Sequence, residues 1–310
     1  QWSSSAASDV YKRQFMFSIK HFNTQKILIT LICTVLGVLL PDSFLTFLAA
    51  INVLTIGIIH GANDLYIVSK IKITTTKQHF SYLFIIYVLF VFVMVLALYR
   101  FPLWSLLLFV IISSFHFGEQ QWFQKSTIIS AGLYFFYTAF GIMLFALLFF
   151  THKSETADIV FEITRMRIPD YFFERCLLFS STLFVFFLFV VGKRLKPQLL
   201  MQAISLLVLI LLFSRTSLLW SFSVYFVLWH SLPSLKEQAV VLHPHDSSPT
   251  LSYVKSALPY WLLSLIGLTA AVLFVDNETI SMTSLFFAFL AAITIPHVIV
   301  IFFMHKNDIS

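Results

Sequence analysis

The sequence predicts an all-α fold, a polytopic integral membrane bundle of about ten transmembrane helices. Hydrophobic residues make up 59% of the 310 positions and charged residues only 11%, whereas soluble domains average about 25% charged residues. The mean hydropathy is +0.91, and many apolar runs approach the ~20 residues that cross a bilayer. The composition excludes a soluble globule. The net charge of +6 comes from basic residues scattered over loops, so it does not indicate a nucleic-acid partner.

The apolar segments, read from the N-terminus, predict the individual helices. The first is short and ends at Pro41-Asp42, a turn signal before the second. The longest connector, 152–172, mixes charged residues with Ile and Phe and predicts an interfacial amphipathic helix. The ten predicted segments are 26–40, 43–68, 80–99, 101–123, 127–151, 173–191, 198–213, 216–236, 254–275 and 283–304.

The N-terminal residues and the two cysteines bear on the domain organisation rather than on the predicted helices. Residues 1–15 are rich in Ser and Ala, unlike the rest of the chain, and we interpret them as a non-native extension with Met16 as the start. Residues 16–310 then form a single transmembrane domain. Cys33 and Cys176 lie in apolar runs without metal or redox spacing, which predicts packing roles.

The distribution of Lys and Arg predicts that both termini are cytoplasmic. Arg100 and Arg215 are the basic residues of the short loops on the opposite side. This asymmetry follows the positive-inside rule. The cytoplasmic loops would carry Lys20, Lys26, Lys70, Lys72, Lys77, Lys125, Lys193, Arg194, Lys196, Lys236, Lys255 and Lys306.

Four histidines lie inside the apolar segments at similar positions. Each is about 14 to 17 residues past the start of its segment, at roughly 1.5 Å per residue. With the N-terminus inside, the four segments run in the same direction, so the side chains share one depth in the cytoplasmic half of the membrane. Ionisable residues in lipid are costly and usually functional. The sequence therefore predicts a metal site formed by His60, His116, His230 and His297.

Two carboxylates follow these histidines closely. Asp64 lies at i+4 from His60, where it could orient that imidazole or one from a neighbouring helix. Gly57 and Gly61 leave room for close approach, and the alternative for this segment is helix packing with a hydrogen-bonded histidine. Glu119 could orient a ligand, bind the metal directly or lie at the membrane interface.

Two prolines lie beside the later histidines. Pro233 should kink or end the helix after His230, and Pro296 should bend the helix at His297. His305 is two turns, about 12 Å, beyond His297, so it cannot share that site. Lys236 and Glu237 are expected to be solvated. The remaining histidines, expected at the surface, are His21, His79, His152, His243 and His245.

Imidazole ligands suit Fe, Cu, Zn and Ni, so the ligand set alone does not select the metal. Ferrous iron with open positions is what oxygen chemistry on an apolar substrate would require. A membrane transporter or ion channel, with Asp64, Glu119 and the histidines as a proton or cation relay, is the main alternative. A bis-histidine haem protein is less favoured, since the histidines occur singly and at one level.

Four short motifs together resemble the Brp/Blh family of β-carotene 15,15′-dioxygenases. They are His-Gly-Ala-Asn-Asp at 60–64, Phe-His-Phe-Gly-Glu at 115–119, Trp-His-Ser-Leu-Pro at 229–233 and Pro-His at 296–297. The resemblance extends from about residue 50 to 304. It implies a multi-pass enzyme of the bacterial inner membrane that takes β-carotene from the bilayer, cleaves its central double bond with O₂ and delivers retinal to a microbial rhodopsin.

The resemblance also implies a ligand set for Fe²⁺. His60, His116 and His230 match the family's proposed iron ligands, but family members have a further histidine where this chain has Ser234. We expect His297 to complete the set, because its predicted depth is right independently of the family. Asp64, Glu119 and Ser234 are assigned to the surroundings of the ligands.

Overall fold

The described residues of this computed structural model are 24–71, 77–122, 130–274 and 280–308. The regular secondary structure of these residues is entirely helical, without a strand, which confirms the all-α prediction. Residues 1–15, predicted to be an extension, lie outside the described part. The helices are α1 Thr24–Leu39, α2 Asp42–Asn52, α3 Asp64–Ile71, α4 Lys77–Arg100, α5 Pro102–Trp122, α6 Ala131–Thr151, α7 Lys153–Thr164, α8 Asp170–Arg215, α9 Leu218–Val224, α10 Leu232–Leu242, α11 Pro249–Phe274 and α12 Met282–Asp308.

Seven stretches in the described part are helical, long and apolar enough to cross a membrane. Three shorter apolar helices, Thr24–Leu39, Asp42–Gly57 and Leu199–Arg215, coincide with other predicted segments. Large apolar side chains are exposed along α4 and α11, whereas α6 and α12 are mostly buried. Extensive exposed apolar surface is what a protein in lipid presents, so the structure is that of a helical membrane protein.

The sixth and seventh predicted segments, 173–191 and 198–213, depart from the prediction because no loop separates them. Both belong to α8, a continuous helix of 46 residues. The basic residues that predicted a loop are good helix formers, and the helix runs through them. At 1.5 Å per residue α8 is about 69 Å long, over twice the ~30 Å hydrocarbon core, so it is not a single straight span.

The predicted segment 43–68 is not one helix either. After α2 the backbone widens into a π-helix at Val53–Gly57, turns at residues 60–63 and resumes as α3 at Asp64. A second π-helix, Tyr225–Ser231, links α9 to α10 and places Pro233 in the first turn of α10. The predicted break at Pro233 is therefore a change of helix type. π-Segments often occur at functional sites, and both lie beside predicted ligands.

Helices α5 and α6 approach each other through two glycines. A Cβ on Gly118 would collide with the carbonyl oxygen of Tyr137, and one on Gly141 would collide with that of Ser114. Small residues permit such close backbone contact between membrane helices. The contact fixes the position of α5, which carries His116.

The connector predicted to be an amphipathic helix does form a helix, α7. His152, at its start, corrects our expectation of a surface residue, because the side chain is only 8% exposed. Its Nε2 lies 2.7 Å from the carbonyl oxygen of Thr216, and its Nδ1 lies 2.9 Å from that of Leu148. Carbonyl groups left free at helix ends accept such bonds, and this explains why a histidine in a polar stretch is buried.

Candidate metal centre

The structure brings the four predicted histidines together from four separate segments. His60 lies in the turn between the first π-helix and α3, His116 in α5, His230 in the second π-helix, and His297 directly after Pro296 in α12. All four are buried, with exposed fractions of 5% or less. The shared depth expected from sequence thus corresponds to a shared location.

The imidazole rings form a closed cycle. The ring centroid of His60 lies 5.1 Å from that of His230 and 4.8 Å from that of His297. The ring of His116 lies 4.6 Å from that of His230 and 5.4 Å from that of His297. Neighbouring rings meet at interplanar angles between 77° and 90°. Such edge-on packing lets several ring nitrogens face a common centre.

Ring nitrogens of three of the four histidines lie near enough to one another that they could hold one ion, and His116 is not in that group. One nitrogen each from His60, His230 and His297 lies within 4.8 Å of the other two. Nε2 of His60, Nε2 of His116, Nδ1 of His230 and Nε2 of His297 are buried without a hydrogen-bond partner. Buried polar atoms are almost always partnered. Four such orphans in one cluster fit a metal that accepts their lone pairs.

Two of the rings are held by their other nitrogen. Nδ1 of His60 donates to the carbonyl oxygen of Gly57, and Nδ1 of His297 donates to Oδ1 of Asp64 across 2.8 Å. A proton on Nδ1 leaves Nε2 with its lone pair, which is the form that binds a metal. The arrangement matches the carboxylate–histidine pairs that orient ligands in metalloproteins.

Asp64 orients the imidazole of a neighbouring helix, one of the two arrangements considered from the sequence. Its other oxygen, Oδ2, accepts a hydrogen bond of 2.8 Å from the hydroxyl of Tyr87 in α4. Tyr87 is not among the site residues that the sequence predicts. The available signal was a hydroxyl in the middle of the apolar run Ile85-Ile86-Tyr87-Val88, since a buried tyrosine hydroxyl usually has a partner.

Ser234, at the position where the resemblance implied a histidine, lies in a separate hydrogen-bonded network. Its hydroxyl accepts a 2.8 Å hydrogen bond from Nε2 of Gln238. The Tyr253 hydroxyl lies 2.7 Å from Oε1 of Gln238 and 2.6 Å from the carbonyl oxygen of His60. Asn63 also donates to the backbone of Tyr253. The network fixes the turn that carries His60, and Gln238 and Tyr253 were not predicted.

Glu119 lies against His305 rather than against the four imidazoles. Its Oε2 is 3.4 Å from Nδ1 of His305, and Oε2 of Glu237 is 3.6 Å from Nε2 of the same ring. Glu237 is therefore only partly solvated, unlike the expectation from sequence. As predicted, His305 stands apart from His297, on the same helix two turns away.

Aromatic rings surround His230. The ring of Phe117 lies 4.3 Å from it, and Phe226 stacks on it at 5.6 Å. A Cβ on Gly57 would lie 2.8 Å from the ring of Phe226, and one on Gly61 would lie 3.1 Å from Nδ1 of His297. The two glycines therefore make room for neighbouring side chains, and apolar rings pack directly against the imidazole of His230.

A family model described as beta-carotene 15,15′-dioxygenase matches residues 51–305. The chain belongs to this family. No curated protein and no solved structure matches it. Membership confirms the resemblance drawn from the four motifs, and it makes the chain a carotenoid-cleaving oxygenase rather than the alternative transporter or channel.

Proposed function

We propose that this family member is an iron-dependent dioxygenase that cleaves the central double bond of β-carotene with O₂ and forms two molecules of retinal. The observation that carries the proposal is the cluster of four buried imidazole nitrogens without partners. In the reaction one carbon–carbon double bond is broken and each new aldehyde takes one oxygen atom of O₂, so the atoms balance. Residues 16–310 would act as one catalytic domain, because the proposed ligands are spread from residue 60 to 297.

The proposed ligands are His60, His116, His230 and His297. Imidazole suits several transition metals, but zinc has no redox chemistry. Ferrous iron, when bound, would supply the redox chemistry that oxygen requires. The protein residues hold the metal, orient its ligands through Gly57 and Asp64, and exclude water through Phe117 and Phe226.

We favour His297 over a three-histidine set. Its Nε2 faces the same cluster as Nε2 of His60, and its Nδ1 is held by Asp64. Ser234 has a hydrogen-bonding role with Gln238 instead. The fourth imidazole would thus come from α12 in this chain, in place of the histidine that family members carry at the position of Ser234.

The solubility of the proposed substrates indicates where the enzyme would obtain them. β-Carotene is insoluble in water and would come from the bilayer, while O₂ dissolves in both phases. The resemblance supports a bacterial inner membrane and delivery of the retinal product to a microbial rhodopsin. Co-expression with a rhodopsin apoprotein tests delivery. Without added retinal, the pigment would form only if retinal made by an active oxygenase reaches the apoprotein.

The test is expression in a β-carotene-producing bacterium, with retinal and residual pigment quantified by chromatography and iron measured in the purified protein. Alanine at any of the four histidines should lower retinal at least 100-fold and reduce bound iron. His245→Ala, in an exposed loop, is the matched control and should stay within twofold. Full activity of His297→Ala would contradict the fourth ligand, and an active wild-type protein without iron would contradict the metal.

A further inference from the structure

A cavity of about 370 Å³ lies beside the histidine cluster. Its inner wall includes His60 and His297, and its other walls come from α4, α11 and α12. Ligand pockets for small molecules span about 300–1,000 Å³, so the cavity can hold a substantial part of an organic molecule. It is the natural place from which a substrate would reach the proposed metal.

The polar groups that line this cavity are already engaged. The hydroxyl of Ser264 donates to the carbonyl oxygen of Tyr260 and that of Thr294 to Leu290, while Tyr87 donates to Asp64. The buried side-chain atoms without partners among the described lining residues are Nε2 of His60 and Nε2 of His297. A polar ligand would find few partners here, so the walls fit a hydrocarbon.

The outer wall of the cavity faces the lipid. Val88 of α4 and Leu263 and Ile266 of α11 line the cavity, yet they are 44%, 45% and 64% exposed at the protein surface. Helices α4 and α11 both pack against α12 but contact each other little. At one end Phe84 and Tyr260 bridge them, with ring centroids 6.5 Å apart. Elsewhere the cavity is bordered by side chains that are exposed at the apolar surface of the protein.

Gly267 lies at this opening, on α11. It lines the cavity, and a Cβ built on it would meet no atom within 4 Å. Glycine in a helix costs about 1 kcal/mol relative to alanine, and no close packing at this position requires it. A side chain at this position would extend into open space beside the cavity.

We propose that the gap between α4 and α11 is a lateral portal, through which a polyene hydrocarbon passes from the lipid to the histidine cluster, and that Gly267 sets its width. The inference rests on the proposed function, because it assigns the occupant as the carotenoid. A bulky side chain at Gly267 or Val88 would narrow the gap without touching a proposed ligand.

The first test compares Gly267→Phe and Val88→Phe with Leu262→Phe. Leu262 is 52% exposed on the same helix but does not line the cavity, so it is the matched control. In liposomes that contain β-carotene, the two portal variants should lose at least tenfold in kcat/KM with unchanged iron content, and the control should stay within twofold. Retention of β-carotene by the iron-free proteins after purification should follow the same pattern. The two portal variants should retain less β-carotene than the wild-type protein and the Leu262→Phe control.

A second test avoids any effect of the substitution on folding. Gly267→Cys is purified and then treated with benzyl methanethiosulfonate, which attaches a bulky group that dithiothreitol removes. Activity should fall at least tenfold on treatment and return on reduction. Treated Leu262→Cys and treated wild-type protein, which contains Cys33 and Cys176, should change less than twofold.

The outcomes separate the portal from the proposed function. Suppose that the wild-type protein cleaves β-carotene and that the portal variants, whether substituted or chemically treated, have activities within twofold of the wild-type activity. That result would overturn the portal. Retention of β-carotene by wild-type but not by the portal variants, with no retinal formed by either, would uphold the portal and contradict the proposed reaction.

Discussion

Oδ1 of Asp64 and Nδ1 of His297 lie 2.8 Å apart, although 233 residues separate them in the chain. The hydrogen bond joins the start of α3 to the middle of α12. Through it, a carboxylate from the motif around His60 sets the orientation of the imidazole on the last helix. Because the two residues belong to different motifs, the pairing makes the motifs one structural unit.

Replacement of Asp64 by alanine should weaken iron binding about 10- to 100-fold, the range typical of residues that orient metal ligands. The His297 ring would lose the acceptor that holds its Nδ1 proton. Iron content and metal affinity of the purified protein measure the effect. Asp158→Ala, on an exposed face of α7, should bind iron as the wild-type protein does. Equal iron affinity in the Asp64 variant would show that the carboxylate does not position the ligand.

Tyr87→Phe should have a smaller effect in the same direction. Asp64 would keep its bond to His297 but lose the hydroxyl donor on Oδ2, and a buried hydrogen bond to a charged group contributes about 1.5–3 kcal/mol. Thermal unfolding in detergent and iron affinity should both decrease, the latter by less than in Asp64→Ala. Tyr82→Phe, a 64% exposed position on the same helix, should leave both unchanged. If Tyr87→Phe had the same unfolding temperature and iron affinity as Tyr82→Phe, the role of the Tyr87 hydroxyl would be disproved.

Gly141→Ala should destabilise the protein by at least about 1–3 kcal/mol, the usual range for overpacking. The new methyl group would collide with the carbonyl oxygen of Ser114, and the backbones of α5 and α6 would have to separate. The shift should also displace His116 and lower iron content. Gly192→Ala, whose Cβ would meet its nearest atom at 3.9 Å, provides the comparison. Similar unfolding temperatures for the two variants would contradict the close contact.

The contribution of Glu162 to stability should depend on pH. Partial burial raises the pKa of Glu162, but hydrogen bonds from Ser281 and Ser284 outweigh it and hold this pKa below the ordinary value of 4.5. The backbone N–H of Ser281 donates to Oε2 across 2.8 Å. A lowered folded-state pKa means that the contribution is complete above about pH 4.5 and is lost as the pH falls through the lowered value.

Glu162→Gln should therefore unfold at a lower temperature than wild type near neutral pH, and the difference should shrink below about pH 4.5. Thermal unfolding across this range measures it. Glu155→Gln, an exposed position on the same helix, is the control and should show no such pH-dependent difference. A constant gap between Glu162→Gln and wild type at all pH values would rule out the ionised form as the stabilising one.

Much of the site could be predicted from the sequence because lipid imposes strong rules. A histidine in an apolar run is costly, so His60, His116, His230 and His297 stood out individually, and equal spacing from the segment starts implied equal depth. The match of the family model to residues 51–305 confirmed the family that the motifs around them suggested. Hydropathy likewise identified the apolar helices, since it depends only on composition within a short window.

Other features depended on backbone context that a short window does not contain. The basic residues at 193–196 predicted a loop by their charge, but their helix propensity is compatible with the continuous α8. The π-helices beside His60 and His230 contact each other, although they are far apart in the sequence. His152 is buried because a carbonyl oxygen of Thr216 is available, 64 residues away.

The sequence by itself determined that the chain is an all-helical membrane protein with histidines placed to meet. Only the tertiary structure decided which nitrogen of His60 and of His297 lacks a hydrogen-bond partner. It also decided that Asp64 accepts a hydrogen bond from His297 and another from Tyr87. The physical reason is the range of the forces. Burial in lipid acts on each residue according to its own type, whereas a hydrogen bond acts over about 3 Å and needs its two partners in place.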